Sequence, residues 1–176
     1  QRVVAIGHDA KQMVGRTPEN IEAIHPSQDG VIVDFDLAEA LLRRCIERAL
    51  GARPFVKPRI VVCVPNRLQD VERRAIQESA RAAGAREVYL VGKPIAAAIG
   101  SQLPIERPLG NMVIDVGGGT TEVGIISLGG PVVIKSAQVG GKHFGSAITS
   151  WIRDRHNVLV GSRTSEDTKL KVWCAF

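Results

Sequence analysis

Apolar and polar positions along this chain follow two different periods, and each period predicts its own kind of element. Short apolar runs predict strands at residues 3–6, 31–33, 60–64, 88–91, 112–116, 122–127 and 132–138. Apolar residues that recur every three or four positions predict helices from Asp36 to Gly51 and over 70–83, 95–99 and 143–156. Strands that alternate with helices indicate an α/β protein.

The first long helix carries start and stop signals. Asp36 can cap its first turn, with Glu39 three residues later as in a capping box, and Gly51 and Pro54 end it. Residues 3–6 and 31–33 are separated by a stretch rich in glycine, proline and turn pairs, which predicts a loop.

Residues 60–91 contain strand, helix and strand, which predicts a βαβ unit with parallel strands. The run 60–64 is continuously apolar, so we expect a strand that is covered on both faces. The positions expected to face inward from the helix between the strands are Val71, Ala75, Ile76, Ala80 and Ala83.

The pattern changes after a connector that contains Pro104 and Pro108. Three strands follow in succession, joined by glycine turns at 117–119 and 129–130, and a helix comes after them. We therefore place a domain boundary near residues 101–110.

Composition narrows the function classes. The chain has 176 residues, 44% of them hydrophobic and 23% charged, which is typical of a folded protein and excludes a disordered one. No apolar run approaches the roughly 20 residues of a membrane-spanning helix, and we expect no secretion signal. Three cysteines (Cys45, Cys63 and Cys174) without a CxxC pair favour a reducing compartment.

The net charge of +5 is spread evenly along the chain. Nucleic-acid binders concentrate lysine and arginine on a stripe with aromatic residues between them. Here only seven aromatic residues occur (two Trp, one Tyr and four Phe), and no basic run exceeds two residues. We expect a solvated surface and no nucleic-acid partner.

The most informative segment is Asp115-Val116-Gly117-Gly118-Gly119-Thr120-Thr121-Glu122. A strand ends beside a carboxylate, and three glycines turn the chain into the next strand. Such a turn lets a ligand approach closely and lets successive N–H groups converge on an anion, with the two threonine hydroxyls adding donors. Asp115 is placed to hold a Mg²⁺ or its waters. The alternative is a glycine hairpin that only turns the chain.

A second glycine pair, Gly140-Gly141, lies between a strand and a helix. Backbone N–H groups at a helix N-terminus favour anions, although an ordinary strand-to-helix turn would use the same residues.

Together these residues resemble the superfamily of actin, the seventy-kilodalton heat-shock chaperones and sugar kinases. Within it the chain is similar to the MreB family of bacterial actins. The similarity is carried by Gly15-Arg16-Thr17-Pro18, Asp29-Gly30-Val31-Ile32, residues 70–75, residues 83–90 and residues 111–129. These motifs keep one order over nearly the whole chain.

The resemblance implies an actin-like, ribonuclease-H-like two-lobe ATPase fold. It assigns residues 1–30 to the small subdomain of the first lobe and 31–105 to that lobe's core. Residues 106–157 then belong to the core of the second lobe, and 158–176 begin its small subdomain. Against the family pattern we expect the chain to be incomplete at both ends, because the N-terminal phosphate loop falls before residue 1.

The resemblance also implies the ligands, ATP and Mg²⁺. Asp115 would serve the metal, and Gly117, Gly118, Gly119, Thr120 and Thr121 would hold the β- and γ-phosphates. Gly140 and Gly141 would lie beside the nucleotide. Glu166 and Lys169 match the family's pair near the ribose and adenine, and the same segment also predicts a helix start capped by Thr164.

A further implication concerns membranes. Phe55 and Val56 fall where the family has a loop with two exposed apolar residues that enter the bilayer. Neighbouring Arg53, Lys57 and Arg59 would suit anionic lipid. The alternative is that Phe55 packs on the adjacent strand.

Lys93 departs from the family pattern. It precedes Pro94, where the family has a glutamate that orients or activates the attacking water. A charged lysine cannot accept that proton, although it can hold a phosphate oxygen. We therefore expect weak or no hydrolysis, with a solvated surface lysine as the alternative.

Two further points weaken a catalytic assignment. Residues 142–145 replace an acidic, methionine-containing stretch of the family. The four histidines, His8, His25, His143 and His156, show no metal-ligand spacing, and we expect them to be solvated or buried in the core.

The resemblance implies a cytoplasmic protein at the inner face of the cell membrane. It would form filaments with itself and work with cell-wall synthesis and cell-shape proteins. Two alternatives remain: a non-catalytic module that interacts with filaments, and a small-molecule phosphotransferase of the same superfamily. Lys93 argues against the phosphotransferase.

Overall fold

The computed structural model describes residues 3–28, 31–51 and 56–172, which form two compact units that meet in sequence between Gly92 and Lys93. The first unit contains α1 (His8–Met13), β1 (Ser27–Gln28), β2 (Val31–Ile32), α2 (Phe35–Leu50), β3 (Arg59–Val64), α3 (Asp70–Ala82) and β4 (Glu87–Gly92). The second contains α4 (Lys93–Gly100), β5 (Asn111–Val116), β6 (Thr121–Ser127), β7 (Gly130–Ala137), α5 (Gly141–His156) and α6 (Ser162–Val172).

The predicted βαβ unit is confirmed. Strands β3 and β4 pair in parallel, with Val62 opposite Leu90, and α3 connects them. Two buried clusters hold the helices to the sheet, and Val62 and Leu90 pack against both. The buried members are Val64, Leu68 and Ile76 in one cluster, and Ala80, Ala85 and Val88 in the other.

The expectation that β3 is covered on both faces is wrong. Its side chains alternate in burial, and Val61 is 65% exposed while Val64 is 2% exposed. The described sheet has two strands, and its clusters gather on one face, so the apolar positions on the other face stay in solvent. The inward orientation predicted for Val71 is also wrong, because its side chain is 75% exposed.

Two predictions in the N-terminal segment need correction. Residues 3–6 form no strand in the described structure, and α1 follows them in a stretch predicted to be loop. Helix α2 is capped by Asp34 and not by Asp36: the Asp34 carboxylate accepts a hydrogen bond of 2.9 Å from the Leu37 amide. Asp36 already lies inside the first turn. The end of α2 at Gly51 is confirmed.

The second unit is built on a three-stranded antiparallel sheet in the order β5-β6-β7, as the sequence predicts. Helix α4 packs against it at Pro94, since a Cβ built on Gly124 would lie 2.8 Å from the Pro94 Cβ. Residues on this face of β6 are buried, namely Glu122, Gly124 and Ile126. The contacts of α4 thus belong to the second unit, whereas the sequence predicts a boundary at 101–110. The assignment to four subdomains stays a prediction.

Helices α5 and α6 pack against each other. The Ser165 hydroxyl donates a hydrogen bond of 2.6 Å to the Gly145 carbonyl, and a Cβ on Gly145 would lie only 3.4 Å from that hydroxyl. Helix α5 ends at Asn157 in the left-handed conformation. Among the described residues no helix combines the length and apolarity needed to cross a membrane.

Candidate functional site

The loop between β5 and β6 is a tight turn. The Gly117 amide donates a hydrogen bond of 2.8 Å to the Thr120 carbonyl. A Cβ on Gly117 would lie 3.1 Å from that carbonyl oxygen, so the turn favours glycine there. A Cβ on Gly118, in contrast, would meet no described atom within 4 Å. The loop is therefore closed on itself at its base and open at Gly118.

The loop is docked onto the first turn of α5. The amides of Gly141 and Lys142 donate hydrogen bonds of 2.9 and 2.8 Å to the carbonyls of Gly117 and Gly118. A Cβ on Gly140 would lie 2.4 Å from the Gly117 carbonyl oxygen, so only glycine permits this approach. The sequence indicates both glycine segments, and the structure brings them into direct contact.

This docking uses the donors that the sequence assigns to an anion. The amides of Gly141 and Lys142 are bonded to the loop, and the Gly140 amide donates to Nδ1 of His143 at 3.2 Å. Gly140 and Gly141 therefore hold the loop, and their place beside the nucleotide stays a prediction. His143 accepts its hydrogen bond at the first turn of α5.

The donors that stay available lie in the loop itself. Within the described chain, the amides of Gly118, Gly119 and Thr120 have no backbone acceptor. The hydroxyl of Thr121 donates to the Val139 carbonyl at 2.7 Å and so stabilises the turn. Thr120 is buried. Three successive amides without a backbone acceptor, on a turn that is open at Gly118, are a suitable cradle for phosphate oxygens.

A carboxylate pair stands beside this cradle. Asp115 lies one residue before the end of β5 and is half-buried. Its cross-strand partner is Glu122, so the two side chains share a face of the sheet. Glu122 is fully buried and accepts a hydrogen bond of 2.7 Å from Ser136. Glu122 is not among the residues predicted to form the site, although its place in the alternation of β6 with Gly124 and Ile126 indicates that it points inward.

Lys93 approaches the loop from α4. It is the first residue of that helix, it is half-buried, and its Nζ would lie 3.6 Å from a Cβ on Gly117. The described residues offer its ammonium no hydrogen bond and no carboxylate within 4.0 Å. A cation thus stands where the resemblance predicts a carboxylate.

Glu166 and Lys169 lie on α6, which begins at Ser162 rather than at a Thr164 cap. Lys169 is 7% exposed, and its Nζ lies 2.6 Å from Glu166 Oε2 and 3.2 Å from the Gly141 carbonyl oxygen. The pair is therefore brought to the glycine turn that holds the loop. Its role toward ribose and adenine stays a prediction.

The predicted membrane contact lies in the other unit. Val56 is 49% exposed, and Phe55 lies outside the described residues. No group of three or more His, Cys, Asp or Glu side chains that could hold a metal occurs in the described part of the chain. A magnesium ion at Asp115 would need phosphate oxygens and water as its other ligands, which is usual for Mg²⁺.

The three-stranded antiparallel sheet, its glycine turn and the helix on which the turn is docked belong to an actin-like fold. A family model described as MreB/Mbl protein matches residues 1–176, and the chain belongs to this family.

Individual relatives and solved structures are similar to this chain, in agreement with the family match. The cell shape-determining protein MreB of Escherichia coli K12 is 49% identical over 176 residues, which are 99% of this chain and 50% of the relative. The crystal structure of MreB5 of Spiroplasma citri bound to ADP matches with a TM-score of 0.87 at 36% identity, over 94% of this chain and 50% of that one. The MamK double helical filament, 21% identical, shares the fold with a TM-score of 0.78 over 95% of this chain and 51% of that one. The chain spans about half the length of the curated relatives it matches.

Proposed function

We propose that this chain is a nucleotide-binding part of an MreB-like cytoskeletal protein that assembles into filaments with ATP. The observation that carries the proposal is the loop of Gly118, Gly119 and Thr120, whose amides have no backbone acceptor in the described structure, and which is open at Gly118 and close in sequence to Asp115. The ADP bound to the Spiroplasma citri relative supports the choice of an adenine nucleotide.

Each residue then has a chemical task. The amides of Gly118 and Gly119, with Thr120, bind the β- and γ-phosphate oxygens. Gly117, Gly140, Gly141 and Thr121 hold the loop in shape, as their hydrogen bonds support. Asp115 binds Mg²⁺ directly or through water, and this ion supplies positive charge to the phosphates. Glu166 and Lys169 lie toward the ribose and adenine.

The larger function is determination of cell shape, in keeping with the name of the Escherichia coli relative. We place the filaments in the cytoplasm, at the inner face of the cell membrane, where cell-wall synthesis and cell-shape proteins would be their partners. The exposed Val56 beside Lys57 supports lipid contact through Phe55 and Val56. Cys45 and Cys63 are exposed and unbridged, which suits a reducing compartment.

Hydrolysis is expected to be impaired, because Lys93 faces the loop where a carboxylate would be needed. This observation favours a second candidate, a non-catalytic module that joins filaments of an intact relative. A phosphotransferase would need a carboxylate at this position to activate the acceptor hydroxyl. The lysine at position 93 therefore argues against a phosphotransferase.

Calorimetric titration with ATP, with and without Mg²⁺, tests the site. We expect magnesium-dependent binding that Asp115→Ala weakens by about tenfold or more, as changes around a metal site typically do. Asp154→Ala is the matched control, since that carboxylate lies on α5 with its side chain 68% exposed. A folded chain that binds no ATP would refute nucleotide binding by this site.

Sedimentation separates the two candidates. Polymer that pellets only with ATP supports the filament protein. Pelleting only together with filaments of an intact relative, regardless of nucleotide, supports the module. Phosphorylation of a sugar without polymer would establish the phosphotransferase instead.

A further inference from the structure

Lys93 is held rigidly beside the phosphate loop. The next residue, Pro94, is buried and packs so closely on β6 that a Cβ on Gly124 would approach its Cβ to 2.8 Å. Proline also fixes its own φ at the start of the helix. The backbone of Lys93 is therefore anchored to the same sheet that carries the loop, which limits the positions its ammonium can reach.

Among the described residues, the Lys93 ammonium has no ion-pair partner. The ion pairs described in the second unit join Arg153 to Asp154 and Lys169 to Glu166. Its Nζ would lie 3.6 Å from a Cβ on Gly117, on a side chain that is half-buried. A partly desolvated cation without a carboxylate partner in the described chain, next to amides without acceptors, attracts an anion.

We infer that Lys93 is a phosphate-binding residue whose ammonium holds the terminal phosphate of the nucleotide and supplies part of the positive charge otherwise supplied by Mg²⁺. This inference rests on the proposed function. An ammonium has three N–H donors and no acceptor. The same residue therefore strengthens triphosphate binding and cannot take a proton from an attacking water. The site then keeps part of its affinity for ATP when Mg²⁺ is absent.

The test is calorimetric binding of ATP, ADP, AMP and inorganic triphosphate to the full chain, with Mg²⁺ or with EDTA. Lys93→Met removes the charge and keeps the apolar stem, and Lys93→Arg restores a cation. Lys135→Met is the matched control, because it removes one exposed lysine from β7 of the same unit. Circular dichroism establishes that every variant is folded.

We expect Lys93→Met to weaken ATP binding in EDTA about tenfold, typical of one charge-assisted contact, with less loss for ADP and least for AMP. Lys93→Arg should recover most of the affinity, and Lys135→Met should change it by less than about twofold. Inorganic triphosphate should follow ATP if the phosphates alone are recognised.

Two failures are distinguishable. If the wild-type chain binds ATP and Lys93→Met behaves like Lys135→Met, Lys93 has no phosphate role and the proposed function stands. If the folded wild-type chain binds neither ATP nor ADP, the proposed function fails and the inference fails with it.

Discussion

At the scale of single residues, the site depends on glycines that allow backbones to meet. Gly140 is the sharpest case, because a Cβ there would lie 2.4 Å from the Gly117 carbonyl oxygen and 2.8 Å from the Gly118 carbonyl carbon. We expect Gly140→Ala to lower the free energy of unfolding by about 1–3 kcal/mol through overpacking. Urea unfolding followed by circular dichroism measures this. Gly130→Ala is the control, because a Cβ on Gly130 would have no described atom within 4 Å. Equal losses of unfolding free energy in both variants would contradict the docking of the loop on α5.

Tyr89 offers a residue-scale test by pH, because it is the chain's single tyrosine. Its hydroxyl donates a hydrogen bond of 2.5 Å to Glu87, and this bond, together with the carboxylate's charge, raises the pKa of Tyr89 above its ordinary value of 10.0. The protonated phenol is the favoured form, so the interaction is present at neutral pH and is lost as pH rises through that pKa. Absorbance titration of tyrosinate should show a lower midpoint in Glu87→Gln. An equal midpoint in that variant and in Glu78→Gln, an exposed control on α3, would contradict the contact.

The sequence identifies most of these residues but not their neighbours. Asp115 and the loop glycines are recognisable because carboxylate and glycine at a strand end signal an anion site. The contact of Gly140 with Gly117 is set by tertiary packing between residues more than twenty positions apart. A glycine in the sequence indicates that the backbone has conformational freedom at that position. It does not indicate which other segment of backbone will pack against it. For the same reason Lys169 is predicted as a ligand contact, whereas the structure also bonds it to Glu166 and Gly141.

At the scale of elements, the start of α2 separates two candidate caps. The Asp34 carboxylate accepts from the Leu37 amide at 2.9 Å, and Asp36 lies within the first turn. We expect Asp34→Ala to cost about 1 kcal/mol of unfolding free energy, as loss of an N-cap does. Asp36→Ala should cost about 0.3 kcal/mol, because it loses only its charge near the helix N-terminus. Chemical denaturation measures the loss of unfolding free energy in both variants. A larger loss in Asp36→Ala than in Asp34→Ala would show that Asp36 is the cap.

Lys169 joins α6 to the first turn of α5. Its buried ammonium contacts Glu166 at 2.6 Å and the Gly141 carbonyl at 3.2 Å, so Lys169→Met removes two charge-assisted hydrogen bonds. We expect a loss of about 2 kcal/mol in unfolding free energy. Lys171→Met, two residues further along α6 and exposed, should be nearly neutral. Unfolding curves that coincide for the two variants would mean that the helix pair does not depend on this contact.

Whether a segment forms a helix or a strand could be predicted where the hydrophobic periodicity extends over many residues. The burial of its side chains could not be predicted in the same way. The three strands of the second unit and α3 lie where the sequence predicts them, with ends shifted by one or two residues. The apolar run 60–64 predicts a strand that is covered on both faces, yet Val61 is 65% exposed. Burial of a strand depends on the elements that pack against it, and the sequence of the strand does not specify them. Residues 3–6 fail as a strand for a related reason: a strand needs a paired neighbour, and the described structure gives them none.

At the scale of the whole molecule, the β3-β4 sheet and the β5-β6-β7 sheet each have one packed face and one face with exposed apolar positions. In the second unit these positions are Met112, Ile114 and Val116, which are 61%, 59% and 50% exposed. In the first unit they include Val61 and its cross-strand neighbour Tyr89. The α/β class follows from the order of strands and helices, and the actin-like fold follows from the motifs. Neither the order of the elements nor the motifs predicts how much of each sheet face is buried.

Nucleotide binding should be visible in the stability of one unit. Trp151 lies on α5 of the second unit, and the chain's other tryptophan, residue 173, follows it in the sequence. The first unit contains no tryptophan, so tryptophan fluorescence during urea unfolding does not report on it. A ligand that binds only the folded state stabilises it by about 2.7 kcal/mol at a hundred times its Kd. We expect ATP at that level to raise the unfolding midpoint accordingly.

The phosphates should account for this shift. The amides of Gly118, Gly119 and Thr120 have no backbone acceptor in the described structure, and the loop is proposed to hold the β- and γ-phosphates. AMP has neither phosphate, so at the same concentration it should stabilise the unit much less than ATP does. Asp115→Ala should remove the magnesium-dependent part and leave the rest. If AMP and ATP raised the midpoint equally, the nucleotide would be held through its nucleoside, and the glycine loop would serve only to turn the chain.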